Sequence, residues 1–120
     1  MAQDDIEVVM YKILKYLYEC MKAGKKPRLE DICYDCQMFS ISERYWYQIM
    51  RELIDNGYIK GFNIYATKDG DIIHMSDNAG ITLKGREYLR DNSGMNEAKN
   101  IAGKAFEIVL ESIIKALLPG

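Results

Sequence analysis

The sequence has a single histidine, an odd set of three cysteines and no long apolar run. His74 lies in an apolar stretch, where a structural residue is the ordinary reading and a general base the exceptional one. No phosphate-cradling glycine loop, nucleophile elbow or metal-binding helix motif accompanies it. No catalytic residue is therefore nominated, and the chain is not expected to be an enzyme. Three cysteines fit poorly with a disulfide framework. Cys33-Tyr34-Asp35-Cys36 is a lone CxxC, which with Cys20 and His74 could in principle complete a four-ligand zinc site. Strong evidence for zinc would be a second CxxC or a CxxH, and neither is present. The ordinary reading makes Cys20 and Cys33 small buried hydrophobes and puts Cys36 near a helix end. Thioredoxin-like chemistry would want the pair at a helix start after a strand. The expectation is no metal and no cofactor. No segment approaches the ~20 apolar residues that cross a bilayer. The opening Met1-Ala2-Gln3-Asp4-Asp5 is acidic and lacks the apolar core of a signal peptide. A cytoplasmic protein with reduced thiols and no membrane partner is expected.

Excess positive charge is also missing. The net charge is −2 and the pI about 5.4, whereas dedicated nucleic-acid binders are usually basic. Local distribution matters more, because phosphate contact needs only one positive face. Lys22, Lys25, Lys26 and Arg28 share a short segment without an acid. Acids gather at Asp4, Asp5 and Glu7 and again at Glu30, Asp31 and Asp35. With 48% apolar and 28% charged residues over 120 positions, the chain suits one ordered domain that needs no disulfide or metal staple.

Helical spacing is clear near the start, where Ile6, Val9, Ile13, Leu17 and Met21 form a stripe widened by Met10, Leu14 and Cys20. Asp4 or Asp5 can cap this helix and Ala23-Gly24 ends it. A short second helix is predicted from Leu29 to about Asp35, with Leu29, Ile32 and Cys33 inward. Ser42 is a good N-cap for a third helix, with Ile41 placed to staple Trp46. Trp46, Ile49, Met50, Leu53 and Ile54 are its buried stripe, and Asn56-Gly57 stops it. Tyr58 to Ala66 reads as a strand in which Gly61 marks a bulge or a close backbone approach. Ile72 to Met75 is the return strand. Asp69-Gly70 is the turn, in a loop from Thr67 to Asp71 that looks longer than two residues. Thr82 caps a fourth helix carrying Leu83, Tyr88 and Leu89, closed by Asn92-Ser93-Gly94. The last helix, from about Asn96 to Leu118, reads as the most regular element. Its polar stripe is Asn100, Lys104, Glu107, Glu111 and Lys115. Ala105, Ala116 and Leu118 belong to the apolar side, with the seven residues named below as a dimer face.

Helix, hairpin and helix after two upstream helices is the order of a winged helix-turn-helix domain. The fold class expected is α+β, mostly helical: a three-helix core plus a β-hairpin wing, with additional C-terminal helices. Residues 1–94 would form the winged-helix domain and residues 95–118 a C-terminal amphipathic helix. The run Ile54-Asp55-Asn56-Gly57-Tyr58-Ile59-Lys60-Gly61, followed by Ile81-Thr82-Leu83-Lys84-Gly85-Arg86-Glu87-Tyr88-Leu89, resembles the YjcQ-like family. That is a group of small bacterial and prophage-associated winged-helix proteins. The resemblance implies a winged-helix fold and a phage or bacterial origin, but it carries over no binding residues. The long Cys33 to Ser40 segment departs from the pattern.

Arg44, Tyr47, Gln48 and Arg51 fall on the third helix opposite its apolar stripe. Arg and Gln suit bidentate contacts with guanine and adenine edges in the major groove. Glu43, Glu52 and Asp55 on the same helix support the plainer view of a solvated face. Lys25, Lys26 and Arg28 are candidates for gripping phosphates. The wing offers Lys68 among Asp69, Asp71 and Asp77, a poor setting for tracking a phosphate backbone. Duplex DNA is the leading expected partner, in the manner of a small transcriptional regulator. The alternative is a protein-interaction module that keeps the fold without DNA contact. A continuous positive face around Arg44, Arg51 and Lys26 would favour DNA, and interspersed acids the alternative. The broad apolar face of the last helix suggests a homodimer through Ile101, Phe106, Val109, Leu110, Ile113, Ile114 and Leu117, the alternative being that the first helix of the same chain covers the whole face.

Overall fold

The computed structural model describes residues 2–119. Among them are five helices and one two-stranded antiparallel hairpin, in the order α1 (Ile6–Ala23), α2 (Leu29–Ile32), α3 (Glu43–Asp55), β1 (Ile59–Thr67), β2 (Gly70–Ile81), α4 (Leu83–Asp91) and α5 (Ser93–Ala116). This agrees with the α+β, mostly helical expectation.

Helix α1 is the centre of the molecule. Val8, Val9, Ile13, Leu14, Tyr16 and Leu17 are fully buried, and Met10, Tyr11, Lys12 and Cys20 nearly so. These positions go round the helix and leave no wide polar face, the pattern of a helix enclosed by neighbours. Gly24 ends it in the left-handed conformation, as the Ala23-Gly24 pair predicts. Asp5 stands at the N-cap, but its carboxylate bonds the Ala2 N–H at 2.9 Å and caps nothing.

Helix α2 is a single turn and stops at Ile32, short of the expected Asp35. The cause is tertiary. The indole N–H of Trp46 donates to the Ile32 carbonyl at 2.6 Å. Cys33 is extended, and the chain then folds into a tight turn closed by the Cys36 N–H to the Phe39 carbonyl and the Ile41 N–H to the Tyr34 carbonyl. Asp31 is buried and fully engaged: the Tyr16 hydroxyl donates to it at 2.6 Å and the Arg28 guanidinium meets it through two bonds of 3.0 Å. This network fastens α2 to α1.

Helix α3 is capped by the Ser42 hydroxyl, which accepts from the Tyr45 N–H, and is followed by Gly57 at φ 75°. Trp46, Ile49, Met50 and Leu53 are buried as expected. The hairpin pairs Phe62 with Met75 and Tyr65 with Ile72. Its turn is the two residues Lys68-Asp69, because Thr67 pairs with Gly70, so the longer loop expected from the sequence is corrected. Gly70 at φ 116° supplies a conformation that a bulkier residue resists. Strand β2 also runs six residues past Met75. Gly61 alone faces Ser76 through Ala79, and a side chain there would overlap the Ala79 backbone. The predicted bulge is therefore present and wide.

Thr82 caps α4 by accepting from the Gly85 N–H at 3.0 Å. Gly85 is required by packing, since a Cβ would strike the Tyr58 carbonyl. Tyr58 and Tyr88 stack at 4.3 Å. Asn92 does not trail off after α4 but caps α5 through the Met95 N–H, so α5 begins at Ser93. Nor is α5 regular, because Gly103, at φ 71° and ψ −169°, breaks it into two segments packed along α1. Ala105, Ala116 and Leu118, assigned to its apolar face, are exposed.

Two outcomes follow from this packing. Trp46→Ala should lower unfolding stability by about 3–5 kcal/mol in urea melts, as a large core deletion. Trp46→Phe should cost about 1–3 kcal/mol, chiefly for the orphaned Ile32 carbonyl. A negligible loss for Trp46→Phe beside a large one for Trp46→Ala would show that the indole bond contributes little. Gly103→Ala should destabilise by about 1–3 kcal/mol, since that backbone region is nearly restricted to glycine. A gain in stability would mean that α5 runs straight through this position.

Candidate recognition surface

The outer face of α3 borders the hairpin. Together with the tip of the hairpin it walls an open groove of about 730 Å³, lined by Glu43, Arg44, Tyr47, Gln48, Arg51 and Asp71. Four of these are the residues nominated on α3, and the structure brings them together. Their spacing of three and four residues puts them on one helix face. Asp71 was not anticipated. It stands two residues past the hairpin turn and meets Arg51 Nη2 at 2.6 Å. No local sequence signal links positions 51 and 71; the hairpin register makes the pair.

Arg44 and Gln48 are exposed, as expected for reading residues. Tyr47 is not: it is buried, edge-on to Trp46 at 4.9 Å, with the Arg51 guanidinium 6.0 Å from its ring centre. Its phenol lies at the groove floor as packing, and burial first, then Glu43, pushes its pKa up. The lining holds two cations and two carboxylates, so the groove carries no net charge.

Three of the four cations nominated for backbone or wing contact also have partners. Arg28 holds Asp31 and lies 3.9 Å from Glu30. Lys25 donates to the Ile114 carbonyl at 2.9 Å near the end of α5. Lys26 sits 3.9 Å from Asp77. Lys68 is exposed in the turn beside Asp69. Asp71 and Asp77 are six residues apart on β2, so Lys26 and Arg51 are anchored up to about 20 Å from each other at ~3.3 Å per residue. Acids are thus interspersed throughout the expected positive face.

Of the seven residues nominated for a dimer, Phe106, Leu110, Ile113 and Leu117 are buried within the chain itself. Ile101, Val109 and Ile114 are half-buried. Helix α1 takes up most of this face, and Tyr11 meets Phe106 edge-on at 5.7 Å. The large apolar side chains left exposed there are instead Ile108 and Leu118.

Among the described residues no three or more His, Cys, Asp or Glu side chains form a group able to hold a metal ion. Burial pushes the Cys20 thiol up to about 11 and that of Cys36 also upward, which disfavours the reactive thiolate. His74 is exposed on β2, paired across the hairpin with Asn63. No helix among the described residues is long and apolar enough to cross a membrane.

Fold and groove define a small helical α+β protein with a hairpin set beside a capped helix. A family model described as YjcQ protein matches residues 11–108, and the chain belongs to that family. Searches of curated proteins and of solved structures found no match.

If Asp71 holds Arg51 in solution, a double-mutant cycle of Arg51→Ala and Asp71→Ala should give a coupling of about 0.5–1 kcal/mol, the range of partly exposed pairs. Zero coupling would free Arg51 and return a positive charge to the groove.

Proposed function

We propose that the protein is a non-catalytic binding module on a winged-helix scaffold. In this reading α1, α2 and α3 are the three-helix core, β1 and β2 the wing, and α3 the recognition helix. The groove between α3 and the wing takes a protein segment carrying both signs of charge. The observation that carries this reading is the Arg51–Asp71 pair, which joins helix to wing and cancels the charge that a DNA backbone would seek. A duplex presents closely spaced phosphates, and affinity for it comes largely from uncompensated cations. Glu43 and Asp71 in the groove, with Asp69 at the wing tip, oppose that contact.

A second reading, a DNA-binding regulator of phage or mobile-element origin, is favoured by the exposed Arg44 and Gln48. Both are suited to base edges. Winged-helix scaffolds serve either role, so the fold cannot choose between them.

Fluorescence anisotropy with random-sequence duplex at low salt separates the two. The interaction-module reading expects no saturable binding even where the electrostatic attraction is greatest. A complex whose affinity falls steeply with salt and is weakened by Arg44→Ala would overturn it in favour of DNA. A photo-cross-linking side chain at position 48 should in turn capture protein and not nucleic acid.

A further inference from the structure

The strongest uncompensated charge lies away from the groove. Helices α1, α4 and α5 enclose a cleft of about 330 Å³ that shares no residue with it. Tyr11, Lys15 and Tyr18 reach it from α1, Arg86 and Arg90 from α4, and Lys99 from α5. Each helix contributes through the three- or four-residue spacing that aligns side chains on one face. The lining contains four cations and no carboxylate, in a protein whose net charge is negative.

Neighbouring acids account for part of that charge. Glu19 meets Lys15 at 3.1 Å, and Asp91 meets Arg90 at 2.7 Å. Arg86 and Lys99 have no carboxylate within ion-pair distance among the described residues, and the polar contact of Arg86 is with the Met21 sulfur at 3.7 Å. Two positive charges are thus left over, facing one cleft.

Tyr11 gives a second, independent observation. Its side chain is only 3% exposed, yet its hydroxyl has no hydrogen-bond partner among the described residues. It is not sealed away from the cleft either. Buried phenols usually find a partner. Burial, followed by Glu107 and Glu19, holds this one up at about 12. At neutral pH it is a proton donor that a ligand in the cleft can engage.

We propose that this cleft binds a small organic phosphate, with Arg86 and Lys99 around the phosphoryl oxygens and the Tyr11 hydroxyl donating to one of them. A phosphate monoester carries about −1.5 to −2 charge at pH 7 and three strong acceptors, which matches two spare cations and a spare donor. The volume is at the lower end of small-molecule sites, enough for a phosphate with a compact body. Tyr18 and Leu89 provide the apolar wall for that body. A carboxylate ligand would offer one charge and fewer acceptors.

Isothermal titration of the full chain with adenosine monophosphate, inorganic phosphate and adenosine tests this. The expected result is binding of the nucleotide at low salt, weaker binding of inorganic phosphate and none of adenosine. The affinity should drop several-fold below pH 6 as the ligand loses charge. Arg86→Gln combined with Lys99→Gln should weaken the nucleotide at least tenfold, and Tyr11→Phe a few-fold, with unchanged melting temperatures in the absence of ligand. Absence of binding by both phosphates at millimolar concentration would overturn the proposal, as would binding that survives the double variant. Binding of random duplex through these same residues, without binding of the mononucleotide, would also overturn it and make the cleft a nucleic-acid backbone contact. Because the cleft and the α3 groove share no residue, either reading can fail without the other.

Discussion

The enclosure of α1 is the constraint on which the structure depends. Its buried residues point in every direction, so α3 must cover one side, α5 another and the base of the hairpin a third. Enclosure over most of its circumference forces even some polar residues of α1 inward. Lys12 is buried, donating to the Met38 carbonyl and to Gln3 Oε1, and burial lowers its pKa. Gln3 in turn donates to the Ile101 carbonyl, close to where the Gly103 break interrupts α5. Tyr16 is satisfied by Asp31, and Arg28 completes that network. Lys12 and Tyr16, two buried polar groups of the helix, thus recruit specific partners from distant segments, which fixes how those segments lie.

The same arrangement separates two surfaces of different electrostatic character. On one side, α3 and the hairpin tip meet in a groove lined by two cations and two carboxylates, with Arg51 held by Asp71. On another, α1, α4 and α5 converge with cations in excess. The whole-chain charge of −2 conceals both. A reading from net charge alone would argue against any anionic ligand, and a reading from the α3 arginines alone would argue for DNA. Pairing decides: Arg51 has Asp71, whereas Arg86 has no carboxylate partner among the described residues.

What was legible in the sequence was local. The Ser42 and Thr82 caps, the Gly24 and Gly57 stops, the Trp46 stripe and the Gly61 bulge each depend on residues a few positions apart. What was missed depends on distant partners. Helix α2 ends early near the carbonyl that Trp46 binds from fourteen residues away. Tyr47 looked like a surface residue by periodicity but is drawn down against the Trp46 ring. The break at Gly103 hides in a sequence of good helix spacing, because a lone glycine inside a helix is ordinarily tolerated. Arg28 and Lys25 looked like free cations until tertiary structure supplied Asp31 and the Ile114 carbonyl. The cleft was missed for the same reason, since its cations come from three helices spread between positions 15 and 99.

The central claim is that positive potential is concentrated at the α1–α4–α5 cleft and cancelled along α3. Nuclear magnetic relaxation by paired cationic and anionic paramagnetic cosolutes reads the near-surface potential at each amide. The account predicts that the anionic probe is enriched over its cationic twin at the amides of Arg86 and Lys99, and that the two act nearly equally from Arg44 to Arg51. Strong enrichment of the anionic probe along Arg44 to Arg51, continuous with Lys26, would contradict it.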